Sequence, residues 1–195
     1  FKFSGLLTVI DGVLGARTLE NFLVSVKQTA LADCLIVSKI DQAENYGSLK
    51  QRIRNINSTA PIIFSSNGEV DPRLLPGFGE ATFAKIPIIS KGSNKPAHGD
   101  GIFEVSRVIN DRIQFSVFEK WVNQLQEDYG ANLLRLKGII HFEGQEAPSV
   151  IQVVQHILYP LETLNVQNDE EIGRLVLIGQ EIPRHELVAA LENLM

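Results

Sequence analysis

Four consecutive residues, Ser38, Lys39, Ile40 and Asp41, offer the clearest ligand chemistry in this sequence. They directly follow an apolar run that predicts a buried strand, and open parallel sheets bind ligands beyond the carboxyl ends of their strands. The Asp41 carboxylate can accept hydrogen bonds from the N1 and N2 donors of guanine, while the Lys39 stem can lie along the face of the base. The pattern predicts a guanine site, but Lys and Asp are also common in solvated loops, and four residues alone leave that alternative open.

Three short apolar runs precede or follow these residues and predict the strands that position them. Residues 6–10, 34–37 and 61–64 are rich in β-forming side chains and too short for confident helices, which is typical of buried parallel strands. Helical patterns separate the runs, and the connections are short. The first 75 residues therefore predict right-handed βαβ units in part of a doubly wound α/β domain.

Two helices are expected between these strands. Thr18 is a candidate N-cap for the first. The apolar stripe of that helix is expected to contain Leu19, Phe22, Leu23, Val26 and Ala30. A weaker helix carries Leu49, Ile53 and Ile56.

The second half of the chain follows a polar, turn-forming linker at residues 91–101. Residues 102–108 predict a strand, and Ser116 with Glu119 predicts a capping box for a helix that ends at Gly130. The apolar residues of this helix, including Trp121, are expected in the core.

Three further strands and a last helix complete this half. The predicted strands are residues 133–142, 149–158 and 174–178, the first two forming a hairpin. The helix begins near Pro183 and packs through Leu187, Val188 and Leu191. The order βαβββα predicts an α+β domain, a four-stranded antiparallel sheet with two helices on one face.

Composition excludes several classes of protein. The chain has 195 residues, 44% of them hydrophobic and 21% charged, which is typical of a globular protein. No apolar run is long enough to cross a bilayer, and we expect no membrane partner. The second half is net acidic and the chain has no basic stretch, so we expect no nucleic-acid partner. A single cysteine, Cys34, favours the cytoplasm, and the opening Phe-Lys-Phe-Ser suggests a piece of a longer protein.

Other polar residues carry weaker predictions. The four histidines lack the paired spacing of a zinc site, and only His98, close to Asp100, suggests a metal. Arg135 and Lys137 are two residues apart, so they lie on the same face of their predicted strand. Such a face is more often solvated than used for an interface or a ligand. Asp11 is expected to cap a turn.

Longer stretches of the chain resemble the CobW family of GTPases. These stretches are "LLTVIDGVLG", "LADCLIVSKID", "APIIFSSNGEVDPRLL", "LLRLKGIIHFEGQ" and "RLVLIGQEIPRHEL". The family's guanine-reading motif is Asn or Thr, Lys, any residue, Asp. The resemblance therefore implies guanine binding by Ser38, Lys39 and Asp41, with Ser38 departing from the usual Asn or Thr. The loop 65–67 corresponds to the segment that offers a backbone amide to the base carbonyl in related GTPases.

The resemblance also implies an architecture and a function. Residues 1–90 would be the C-terminal half of a P-loop GTPase domain, and residues 102–195 the CobW C-terminal domain. The intact protein would use GTP with magnesium to deliver zinc or cobalt to a metalloprotein client. Apart from the resemblance, a sheet cut from a doubly wound domain would expose strand edges and apolar faces, so we expect that the chain can form a homodimer. The family's phosphate loop, magnesium ligands and paired-cysteine metal motif precede this segment and have no match here, so no catalytic or metal-binding residue is assigned. The alternative is a non-enzymatic protein-interaction scaffold that has lost nucleotide binding.

Overall fold

A computed structural model describes residues 5–43, 46–75, 101–163 and 173–194. The chain divides into two compact units, residues 1–100 and 101–195. The predicted linker 91–101 lies, except for Gly101, outside the described residues, and so do His98 and Asp100.

The described sheet of the first unit is parallel, as predicted. Its strands are β1 (Leu7–Asp11), β2 (Cys34–Ser38) and β3 (Ile62–Phe64), in the order β1-β2-β3. The four residues from Cys34 to Val37 are buried, which explains why β2 is apolar throughout. The register pairs Asp11 with Ser38, so β1 and β2 end side by side.

The helices of this unit depart from the prediction in one place. They are α1 (Gly15–Asn21), α2 (Leu23–Leu31) and α3 (Gly47–Ile56). The single helix expected between β1 and β2 is broken at Phe22, whose φ of −128° and ψ of 104° are extended. Thr18 is not a cap, because it lies within α1 and donates its hydroxyl to the Leu14 carbonyl.

The break also changes which residues of the predicted stripe are buried. Leu19, Val26 and Ala30 are buried, whereas Phe22 and Leu23 are 62% and 44% exposed. One extended residue rotates the second helix relative to the first, so the stripe no longer follows a single 3.6-residue period.

Asn57 ties the ends of the two crossover helices together. Its side chain is fully buried. Nδ2 donates to three carbonyls at the end of α2, those of Thr29, Ala30 and Ala32. Oδ1 accepts from the backbone amides of Thr59 and Ala60. One amide thus satisfies carbonyls that the end of a helix leaves without partners.

The second unit contains the predicted antiparallel sheet, but its described residues form six strands instead of the four expected. Its long strands are β4 (Ile102–Val108), β5 (Leu133–Ile140), β6 (Ser149–Val154) and β9 (Arg174–Gln180). They lie in the order β4-β9-β5-β6. Two strands of two residues each, β7 (Ile157–Leu158) and β8 (Glu162–Thr163), also pair with β6.

The strand expected at residues 149–158 is therefore two strands. The chain reverses after Val154, and β7 folds back onto β6. Gln155 adopts a φ of 51°, the left-handed conformation that tight turns require. Apolar patterning does not report such a reversal, because both arms of the turn are β-forming.

Two helices, α4 (Phe115–Tyr129) and α5 (Arg184–Glu192), pack on one face of this sheet. The predicted capping box is wrong: α4 begins at Phe115 after Gln114, so Ser116 lies inside the first turn, and no side chain caps the helix. Trp121 is in the core, as expected, and its Nε1 donates to the Ala190 carbonyl of α5 over 2.8 Å. None of the helices in the described ranges is long and apolar enough to span a membrane.

Candidate functional site

Ser38, Lys39 and Asp41 lie where the sequence predicts, at and beyond the carboxyl end of β2. β2 is the middle strand of the described parallel sheet, so its end is flanked by the ends of β1 and β3. Lys39 has a φ of 55°, a left-handed conformation that is uncommon for a residue with a long side chain. The chain therefore turns sharply as it leaves the strand.

Ser38 is fastened to the end of β1. Its carbonyl accepts from the Gly12 amide over 2.8 Å, and its hydroxyl donates to the Ile10 carbonyl over 3.3 Å. A Cβ at Gly12 would lie 2.5 Å from the Ser38 carbonyl oxygen, so this close approach needs glycine. The Ser38 hydroxyl thus braces the two strands against each other.

Lys39 forms an ion pair that the sequence alone did not reveal. Its Nζ lies 2.7 Å from Asp11 Oδ2, with the Lys39 and Asp11 side chains 54% and 28% exposed. Asp11 Oδ1 also accepts from the Val13 and Leu14 amides, so Asp11 caps the turn as expected. The hydrogen bond from Lys39, reinforced by these backbone amides, holds the pKa of Asp11 below its ordinary value; the same bond raises the pKa of Lys39.

Asp41 is exposed and is held from the opposite side by the loop that follows β3. Its Oδ1 accepts from the Asn67 backbone amide over 3.2 Å, and the Ile40 amide donates to the Ser65 carbonyl over 3.3 Å. Asn67 has a φ of 51°, so the chain turns at the residue whose amide binds the carboxylate. The loop 65–67, predicted from the resemblance to contribute to the site, thus lies against Asp41, and the amide of Asn67 binds this carboxylate.

This arrangement is chemically suited to a flat base with two adjacent donors. A carboxylate has about four acceptor positions, so one bond from Asn67 leaves Asp41 able to accept two more. Ser65 adds a buried hydroxyl that makes no hydrogen bond within the described ranges. This hydroxyl is inaccessible to solvent, so no ligand contact is assigned to it.

Arg135 and Lys137, two further polar candidates, lie on β5 of the second unit. The prediction that one face of β5 is solvated at Arg135 and Lys137 is wrong, because these side chains are only 2% and 4% exposed. Buried cations need compensating partners. Neither Arg135 nor Lys137 is without an interaction partner in the structure. Within the part of the chain that the structure describes, no group of three or more His, Cys, Asp or Glu side chains could hold a metal ion.

Comparison with known proteins identifies the family. Residues 104–195 match the C-terminal domain of the cobalamin synthesis protein cobW. A curated protein, the zinc chaperone YjiA of Escherichia coli strain K12, is 24% identical over 199 residues and aligns with the whole of this chain. Residues 104–195 are therefore a CobW C-terminal domain, and the resemblance of the chain to the CobW family is confirmed.

Solved structures of CobW relatives show the same fold. The Zn(II)-bound YjiA GTPase of E. coli has a TM-score of 0.75 and 22% identity over 100% of this chain. A Zn(II)-bound triple mutant of YjiA has a TM-score of 0.74 and 22% identity. The predicted order of the two regions, a parallel α/β region followed by an antiparallel α+β region, is thereby confirmed. The chain spans 62% of the length of these relatives.

Proposed function

We propose that this chain supplies guanine recognition and a partner-docking domain to a GTP-binding metallochaperone or metal-insertion GTPase. The CobW relationship and the name of the zinc chaperone YjiA support this assignment. Zinc is the cargo that we favour on that basis, and cobalt is the alternative suggested by the family's link to cobalamin.

One observation carries the proposal. The segment from Ser38 to Asp41 is fixed on both sides: Gly12 binds the Ser38 carbonyl, and Asn67 binds the Asp41 carboxylate. A fixed carboxylate beside an exposed lysine stem, at the end of a parallel strand, is a preorganised site for a guanine edge and face.

The two units have different roles in this proposal. Residues 1–90 form the C-terminal half of a P-loop GTPase domain and read the base, while residues 102–195 dock a metalloprotein client. The phosphate-binding loop and the magnesium ligands have no match in this sequence, so hydrolysis depends on groups that these residues do not supply. We place the protein in the cytoplasm and propose that it can form a homodimer.

Equilibrium binding of GDP, ADP and XDP to the full-length protein, with and without magnesium, tests the proposal. We expect GDP to bind much more tightly than ADP, because adenine has no donor at the position of guanine N1. Binding of GDP and ADP with equal affinity would show that the Asp41 loop does not read the base.

The alternative, a scaffold that has lost nucleotide binding, is favoured by one feature. Ser38 stands where the family motif has Asn or Thr. Its hydroxyl can replace that of Thr but not the longer amide of Asn, and it is already bound to the Ile10 carbonyl. The same titration separates the two proposals, since a scaffold would bind none of the three nucleotides while retaining a folded C-terminal domain.

A further inference from the structure

An ion pair between Lys39 and Asp11 joins the ends of β1 and β2. Lys39 Nζ and Asp11 Oδ2 are 2.7 Å apart. The two residues are 28 positions apart in sequence but come together because β1 and β2 are in register at Asp11 and Ser38. The pair is therefore a product of the sheet, and it lies next to the proposed guanine site.

Asp11 is well placed to act as a fixed anchor. Its Oδ1 accepts from the Val13 amide over 2.8 Å and from the Leu14 amide over 2.9 Å. These bonds orient the carboxylate, and Oδ2 is left to accept from Lys39. The anchor is thus rigid, although the lysine that it holds is long and exposed.

Lys39 needs such an anchor. A lysine side chain has four rotatable bonds, and fixing them costs conformational entropy. The left-handed backbone at Lys39 sets the direction in which its stem departs, and the bond to Asp11 fixes where the stem ends. The ion pair therefore favours one arrangement of the stem before any ligand arrives.

We propose that Asp11 is a positioning residue for guanine recognition, which holds Lys39 so that its stem lies along the base while Asp41 reads the base edge. The inference rests on the proposed function and deepens it. Asp11 does not contact the base. It lowers the entropy that Lys39 loses on binding, which is the general advantage of a preorganised site.

Two substitutions isolate this role. Asp11→Asn keeps an oxygen acceptor for the Val13 and Leu14 amides but removes the negative charge. Lys39→Met keeps an apolar stem and removes the ammonium group. Asp71→Asn is the matched control, because Asp71 makes an equally short 2.7 Å exposed ion pair, with Arg73, and also accepts from the Arg73 amide, but it has no place in the proposed site.

GDP affinity is measured by calorimetric titration of the full-length protein and its variants. We expect Asp11→Asn to weaken GDP binding about three- to tenfold, Asp71→Asn to leave it unchanged, and the ratio of GDP to XDP affinity to stay constant in both. In the Lys39→Met background, Asp11→Asn should have no further effect, because its partner is already gone.

The salt dependence of GDP affinity provides a second readout. A purely structural role of Asp11 would not affect this dependence. Salt screens an exposed ion pair, so the GDP affinities of the wild type and Asp11→Asn should converge as the salt concentration rises. A constant ratio of the two affinities from low to high salt contradicts the proposal.

The other outcomes are equally decisive. Equal affinity of the wild type and Asp11→Asn at low salt overturns the inference, and tighter binding by Asp11→Asn overturns it by showing that the pair holds Lys39 away from the base. Additive losses in the double variant show that Asp11 does not act through Lys39. Failure of the wild type to bind GDP defeats the proposed function itself, and the inference falls with it.

Discussion

The Asn67 backbone amide donates to Asp41 Oδ1 over 3.2 Å, and this bond joins the loop after β3 to the residue that follows β2. The two residues are 26 positions apart in sequence. A parallel sheet brings the ends of neighbouring strands together, so a short motif after one strand is completed by a loop after the next. The carboxylate proposed to read guanine is therefore held by the fold and not only by its own loop.

Asn57→Ala should destabilise the first unit strongly. The substitution leaves three carbonyls at the end of α2 and two amides after α3 without their buried partner. Buried polar groups that lose a partner cost about 1–3 kcal/mol each, and partial access of water to the site should limit the total to about 3 kcal/mol. Urea unfolding followed by circular dichroism measures the change.

Asn55→Ala is the matched control for this experiment. Asn55 lies two residues before Asn57, in the last turn of α3, and its side chain accepts an exposed hydrogen bond from Gln51. Its replacement should change the free energy of unfolding by no more than about 0.5 kcal/mol. Similar losses in the two variants would show that the buried network does not hold the crossover helices.

Trp121→Phe should destabilise the second unit by about 1–2 kcal/mol. Phenylalanine keeps much of the apolar contact in the core but cannot donate to the Ala190 carbonyl, which Trp121 Nε1 binds over 2.8 Å. Thermal unfolding measures the effect, with Val117→Ala as the control because Val117 lies on the same helix and is 45% exposed. An unchanged midpoint in Trp121→Phe would mean that the indole bond does not fasten α5.

The Asp11–Lys39 pair predicts a pH dependence of stability. The folded-state pKa of Asp11 is lowered from 3.8, chiefly by the hydrogen bond from Lys39. The contribution of Asp11 to the stability of the folded state is therefore fully present above pH 3.8 and is lost as the pH falls through the lower folded-state pKa. The pKa of Lys39 is raised from 10.5, so its contribution is present below pH 10.5 and is lost as the pH rises through the higher value.

Melting temperatures between pH 2 and 6 test this expectation at the acidic end. The wild type should lose more stability than Asp11→Asn as the pH falls below about 4, because only the wild type has this carboxylate to protonate. Parallel curves for the two proteins would contradict the assigned direction of the Asp11 shift. The effect should be small, since both groups are exposed to solvent.

Much of the fold could be predicted from the sequence because its strands are short apolar runs with clear boundaries. β4 begins and ends at the predicted residues, and β1 and β2 differ from prediction by one residue at their ends. The break at Phe22 and the reversal at Gln155 were missed because each depends on the backbone conformation of one residue, and hydrophobic periodicity averages over many residues.

The candidate site was predictable only in part for a related reason. Ser38, Lys39 and Asp41 are adjacent in sequence and form a recognisable motif. Asp11 could be linked to Lys39 only after the register of β1 and β2 was known. The burial of Arg135 and Lys137 likewise depends on what covers the sheet, and alternation along a strand cannot report it.

Binding of GDP and XDP to the full-length protein and to Asp41→Asn tests directly whether Asp41 reads guanine. An amide cannot accept from both guanine donors, whereas it can accept from N1 and donate to the second carbonyl of xanthine. We expect the substitution to weaken GDP binding about 100-fold and to strengthen XDP binding relative to GDP. An unchanged ratio of GDP to XDP affinity in Asp41→Asn would show that Asp41 does not read the base.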